Sequence, residues 1–286
     1  MSTIDSDLLD VRPVGAVIGA EIHGVDLNDL NAEQSAAIRQ AFTDHLVLFF
    51  PGQSLTPDGH RAFASTFGEL EVVPSLPKLD DDHPEIVVLD DADSPAADVW
   101  HTDVTFAEQP PITAILHMVE GPAFGGDTQW INLYRAYETL SAPMRDMLEG
   151  LTAVHANKYG TGASAEHPVV RVHPDTGRRS LYVNRIFTSH IPQLSRPESD
   201  VLLQFLFRWS EQANFSVRHR WTPGDVAMWD NRCTLHQRVN DWNGNRVMQR
   251  ITVLGDAPVA AAELRWPRHR ADSNGASDFY GIAYPF

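Results

Sequence analysis

Cysteine is almost missing from this chain: Cys233 stands alone among 286 residues. That excludes an internal disulfide framework and fits a reducing compartment. Positive charge is also scarce. Lys and Arg number 22 against 38 Asp and Glu, a formal net charge of −16. A phosphate backbone needs a basic face, so nucleic acid is not an expected partner. Apolar runs are too short to cross a bilayer, and no membrane association is expected. The N-terminal stretch MSTIDSDLLDVRPVG is polar and acidic, unlike a secretory leader, which points to the cytoplasm. The acidic runs Asp80-Asp81-Asp82 and Asp90-Asp91 lack the glycine and terminal glutamate of a calcium loop and read as solvated.

What remains is an ordinary globular composition, 43% hydrophobic and 21% charged, in a chain long enough to bury a large core. No repeat or composition break divides it, so residues 1–286 are expected to form one domain. Val14–Leu27 reads as an early strand and turn, and Leu46–Phe50 as a buried strand stopped by Pro51-Gly52. Helices are expected over Asn31–His45, Pro57–Phe67, Tyr134–Leu148 and Pro197–Ser210. Short strands rich in β-branched and aromatic residues follow at Ile86–Leu89, Ala114–Val119, Thr128–Asn132, Val169–Val172, Leu181–Val183, Ser216–Arg220, Val226–Trp229 and Arg250–Leu254. Many short strands with turn clusters between them suggest a mostly β, double-sheet jelly roll with helices packed on one side.

Three segments carry chemistry. In Val99–Val104, His101 and Asp103 are two apart and share a face if the segment is a strand. An imidazole and a carboxylate together suit iron(II), although a His-x-Asp triplet also arises by chance. Val226–Arg232 leads through Cys233 to His236, which is a third ligand or an ordinary polar histidine. Two histidines and one carboxylate leave coordination positions open, as oxygen activation requires. Arg246 and Arg250 share a face of the last long strand; they are carboxylate clamps or surface arginines paired with local acids.

Gly19–Leu27, Phe67-Gly68-Glu69-Leu70, the string WHTDVTF at Trp100–Phe106, Gly125-Gly126-Asp127-Thr128, Trp229-Asp230-Asn231-Arg232 and Arg246–Arg250 occur in one order along the chain. In that order they resemble the 2-oxoglutarate-dependent dioxygenases that include taurine dioxygenase and 2,4-dichlorophenoxyacetate dioxygenase. The resemblance implies a double-stranded β-helix (jelly roll, cupin-like). It implies Fe(II), 2-oxoglutarate and O2 as the reactants, with His101, Asp103 and His236 as iron ligands and catalytic residues. By the same resemblance Thr128 and Arg246 hold the far carboxylate of 2-oxoglutarate, and Arg250 meets the anionic group of the prime substrate. Relatives of this kind often form dimers or tetramers, so a homo-oligomer is expected.

Aligned with the taurine enzyme, the polar substrate ligands fall on Val73, Leu76 and Ala97, which offer no partner to a small amine. Taurine is therefore expected to be a poor substrate. A small organic acid with an apolar body fits better: an alkyl sulfonate, a sulfate ester, or an aryloxy or other carboxylate. Tyr159, in the Gly/Ala/Ser-rich segment His155–His167, lines the pocket from a mobile lid or is a surface loop tyrosine, while Tyr182 and Phe187 read as core. Two rival readings use the same residues: a zinc hydrolase, and a jelly-roll binding protein without catalysis. The first gives no reason for Thr128 and Arg246, and the intact set of three ligand types argues against the second.

Overall fold

A computed structural model describes residues 8–90, 97–157 and 162–269. Among these, strands dominate and a few helices flank them. Seven strands form the main sheet, in the order Asp10–Pro13, Ala20–His23, Val47–Phe50, Val226–Asp230, Thr113–Glu120, Val247–Val253, Val87–Asp90. Every pairing is antiparallel except that of Ala20–His23 with Val47–Phe50. A three-stranded antiparallel sheet faces it, Ser216–His219, Thr128–Asn132, Thr234–Arg238.

Alternation along each strand assigns the two faces of the main sheet. Leu48, Phe50, Ile115, Met228 and Ile251 point outward, where Ile38 and Phe42 of helix Ala32–His45 and Phe63 of helix Pro57–Ser65 cover them. Val47, Phe49, Ala114, Leu116, Ala227, Trp229 and Met248 point inward and pack on Trp130 and Val217 of the smaller sheet. Trp130 is fully buried, with ring centroids 5.5 Å from Phe49 and 5.7 Å from Trp229. By the same parity Arg250 and Thr252 lie on the inward face with Met248. The core between the sheets is thus polar where the last long strand passes through it.

Two further three-stranded sheets close one side. One comprises Thr188–His190, Thr152–Ala156 and Ser164–Pro168; the other comprises Arg179–Leu181, Val170–Val172 and Val259–Ala260. Helix Arg196–Ser210 packs Leu203, Leu206 and Phe207 against them.

Several expectations are met. Asn31 caps the first helix in a reciprocal capping box with Gln34, and the chain leaves it through Leu46 in a left-handed conformation, φ 67°. Others are corrected. The expected helix Tyr134–Leu148 is two, Leu133–Glu138 and Ala142–Glu149; Pro143 in the first turn of the second starts a new helix where one was read through. The early strand shrinks to Ala20–His23. Much of the expected lid is a hairpin, Thr152–Ala156 against Ser164–Pro168. No helix among the described residues is long and apolar enough to cross a membrane.

Candidate active site

His101 and His236 meet as a single antiparallel bridge, each backbone N–H donating to the other's carbonyl at 3.0 and 2.7 Å. Paired residues in such a ladder project side by side, and the two imidazole centroids lie 4.1 Å apart. Asp103 joins them by a different route from the expected strand. The chain turns immediately after Thr102, with Val104 at φ 51°, and this turn, not a period of two, aims the carboxylate at the imidazoles. Thr102 pins the turn by donating to the Thr234 carbonyl at 2.7 Å.

The result is three ligand atoms within 4.8 Å of one another, all on buried residues. Asp103 Oδ1 lies 3.8 Å from His101 Nε2 and 3.6 Å from His236 Nε2. His101 Nδ1 donates to the Val99 carbonyl at 2.8 Å, which leaves the Nε2 lone pair directed at the cluster. The other carboxylate oxygen of Asp103 accepts from Asn231 Nδ2 at 3.1 Å, and Asn231 Oδ1 in turn accepts from the Trp229 indole at 3.1 Å. Burial drives the His236 imidazole down to about 3, helped by His101, so it is neutral. Burial acts to raise the Asp103 carboxyl, but His236, His101 and Arg250 outweigh it and hold the group below the ordinary carboxylate range. Two imidazoles and one carboxylate, none spent on the others, fit a divalent metal ion of borderline softness.

The Gly125-Gly126 pair builds the next part. Both have positive φ, 76° and 69°. A Cβ on Gly125 would lie 2.3 Å from the Asp241 carbonyl oxygen, and one on Gly126 3.2 Å from Arg246 Cδ. Only glycine permits this approach. It lets the Gly126 carbonyl accept from Arg246 Nε at 3.1 Å, while the buried Arg246 guanidinium lies 5.6 Å from the Trp242 ring centroid. Two residues on, Thr128 begins its strand with a buried hydroxyl that accepts from the Trp221 indole at 2.9 Å. Thr128 and Arg246 are therefore tied to one turn.

Arg250 faces the same interior and is among the cations that lower Asp103. Its Nε is buried and has no hydrogen-bond partner among the described residues. Val73 is half-buried; Leu76, 36% exposed, closes a turn by donating its N–H to the Val73 carbonyl. The Ala97 carbonyl accepts from the Arg238 backbone. Tyr159 lies outside the described residues. Tyr182 is buried, as expected of core, and Phe187 stacks edge-on against Phe106 at 5.1 Å. The sequence reading missed Trp221 and the role of Asn231. It also missed Glu71, an acid in the otherwise apolar stretch Leu70–Val73.

Residues 10–252 match the family described as "Taurine catabolism dioxygenase TauD, TfdA family". An "Alpha-ketoglutarate-dependent sulfate ester dioxygenase" of Pseudomonas putida is 40% identical over 276 residues, 88% of this chain and 91% of that protein. An "Alkylsulfatase" of Acinetobacter baylyi is 36% identical, over 90% of this chain and 88% of its own. The crystal structure of a "Taurine Dioxygenase from Burkholderia xenovorans" superposes with a TM-score of 0.82 at 42% identity, covering 88% of this chain and 93% of that one. The chain belongs to the TauD/TfdA family of 2-oxoglutarate-dependent dioxygenases.

Proposed function

We propose that this chain is an Fe(II)/2-oxoglutarate-dependent dioxygenase, on a double-stranded β-helix, that hydroxylates a small organic anion beside a heteroatom. His101, Asp103 and His236 hold the iron. Thr128 and Arg246 take the far carboxylate of 2-oxoglutarate, and Arg250 takes the anionic end of the substrate. The observation that carries this reading is the convergence of three uncommitted ligand atoms within 4.8 Å. A zinc hydrolase needs no second carboxylate clamp, and the pairing of Arg246 with Gly126 beside Thr128 has no use there.

When bound, iron(II) supplies the redox chemistry that cleaves O2. The chain supplies position. Arg246 offers a charge-assisted donor and Thr128 a hydroxyl whose oxygen is already occupied by Trp221, so its proton is free to be donated. Asn231 orients Asp103, and Val99 fixes the His101 tautomer. Trp229, 4.7 Å from His236, walls the site from water. One oxygen atom ends in succinate, with carbon dioxide released, and the other in a C–H bond of the substrate. For a sulfate ester, hydroxylation at the carbon bearing the ester oxygen gives a product that splits into an aldehyde and sulfate.

A sulfate ester is the first substrate class to test, then alkyl sulfonates and aryloxy carboxylates; taurine is expected to be poor. Anaerobic addition of Fe(II) and 2-oxoglutarate should produce a visible charge-transfer band, and a productive anion should perturb it and then trigger succinate formation. Absence of the band, or succinate formation with zinc in place of iron, would sink the proposal.

A further inference from the structure

The segment after helix Pro57–Ser65 lies along the edge of the last long strand, beyond the point where Val87–Asp90 stops covering it. Leu70 forms an antiparallel bridge with Val253. Leu254 donates its N–H to the Glu69 carbonyl at 2.8 Å, and Glu71 donates its N–H to the Thr252 carbonyl at 2.9 Å. Residues opposite one another in an antiparallel ladder project to one face, and so do residues two apart on a strand. Glu71, Thr252 and Arg250 therefore share the inward face, with Glu71 diagonal to Arg250. Diagonal neighbours stand about 7 to 8 Å apart, within reach of long side chains. Glu71 is half-buried, and Arg250 and Asp103 are the charges it feels. Burial raises its carboxyl above the ordinary range against the pull of Arg250. An acid has thus been placed beside the cation that would receive an anion.

We propose, resting on the reading of Arg250 as the anion's partner, that Glu71 determines specificity for head-group charge, admitting an organic monoanion and rejecting a dianion of the same shape. The desolvation cost of an ion grows with the square of its charge, while its attraction to fixed charges grows only linearly. With Arg250 alone the pocket would carry a full positive charge. Glu71 cancels much of it, and what remains offsets the desolvation of one negative charge but not the fourfold cost of two. Sulfate esters and sulfonates carry one charge. Phosphate monoesters, nearly identical in shape, carry two above their second ionisation near about pH 6.

Because the repulsion from Glu71 is linear in charge, its removal should help each head group in proportion. Glu71→Gln should tighten a monoanion about tenfold and a dianion about a hundredfold, for an interaction across roughly 7 Å in a partly solvated site. The experiment is anaerobic calorimetry at pH 8, on enzyme loaded with Fe(II) and 2-oxoglutarate, with hexyl sulfate and hexyl phosphate as probes. Wild type should favour the sulfate, Arg250→Gln should lose both, and Glu71→Gln should raise the phosphate's relative affinity about tenfold. A purely structural role for Glu71 would shift both probes equally, and that result would overturn the proposal. So would selective loss of taurine binding in Glu71→Gln, which would make the carboxylate an ammonium ligand instead. Failure of hexyl sulfate to bind wild type, or indifference of Arg250→Gln, would strike at the anion site itself and not at Glu71 alone.

Discussion

Two clusters of metal-ligand side chains flank the turn between strands Val226–Asp230 and Thr234–Arg238, and only one of them has ligand atoms to spare. His101, Asp103 and His236 form the first; His173, Asp230 and Cys233 form the second, also buried, with ligand atoms within 4.8 Å in both. The difference lies in what the lone pairs are doing. In the second cluster His173 Nδ1 accepts from the backbone of Asp175 and Thr176, and Nε2 donates to Asp230 at 2.9 Å. Arg232 grips both oxygens of Asp230 at 2.9 and 2.8 Å, and burial pushes the Cys233 thiol well up. Nothing is left for an ion. In the first cluster the carboxylate and the two imidazoles stand 3.6 to 3.8 Å apart, too far to satisfy one another. A ligand-like residue set is common; ligand atoms without partners, all aimed at one point, are what distinguish a metal centre from a buried brace.

The sharpest way to break this contrast is to remove one member from each cluster. Asp103→Ala should reduce succinate formation on the order of a thousandfold or more. Metal-free stability should fall by no more than about 1 to 2 kcal/mol, the cost of leaving the buried Asn231 amide without its acceptor. Wild type should gain about 2.7 kcal/mol from metal at a hundred times its Kd, and Asp103→Ala should gain none. Denaturant titration with and without Mn(II) measures both. Asp230→Ala should do the reverse. It leaves the buried His173 without its acid and the buried Arg232 with only the half-exposed Asp175, at a cost of about 3 to 5 kcal/mol, while the folded fraction keeps its metal affinity. Equal behaviour of the two variants would erase the distinction.

A third set of imidazoles has neither a metal nor a carboxylate. His60 and His155 are buried and held neutral, each down to about 3, first by burial and then by His117 and His167 respectively. Their folded values lie below the ordinary 6.5. Their contribution to stability is therefore complete above pH 6.5 and is lost as pH falls toward 3. Each should cost about 1.4 kcal/mol per pH unit over that window. His60→Gln should flatten the slope by one proton, read from melting curves between pH 7 and 5. An unchanged slope would mean that His60 takes up its proton without unfolding.

The residues of the metal cluster were legible in the sequence because two short motifs, WHTDVTF and the stretch after WDNR, name them. The geometry that unites them was not. The expected strand through Asp103 is a turn, because Thr102 and Asn231 tie that backbone to residues far along the chain, which no local period reports. Most strands of the main sheet were legible from apolar and β-branched runs, but the edge strand Asp10–Pro13, with one apolar side chain between Asp, Arg and Pro, was not, and the last long strand begins three residues before the expected Arg250; the break at Pro143 was lost in a helical pattern that continues on both sides. Tyr134 and Leu148 are core residues of the two short helices and Leu140 is a core residue of the link between them, so apolar spacing alone suggested one. Glu71 was invisible as a functional residue for a related reason: only its pairing with Thr252, far along the chain, places it on the face of Arg250.

The smallest expected effect tests whether the turn at Gly125-Gly126 serves 2-oxoglutarate. The Trp221 indole occupies a lone pair of the Thr128 hydroxyl and so directs its proton. Trp221→Phe removes that bond and keeps most of the apolar bulk that packs on Trp130, whose ring centroid is 6.5 Å away. A single neutral hydrogen bond is worth about 0.5 to 1.5 kcal/mol, so the KM for 2-oxoglutarate should rise between about twofold and tenfold with kcat nearly unchanged. Thr128→Val should give a similar rise. The two changes act through one hydroxyl, so the double variant should be no worse than Thr128→Val alone, a non-additivity that independent packing defects would not produce. Additive effects, or a loss confined to kcat, would show that Trp221 and Thr128 brace the sheet and do not orient the co-substrate.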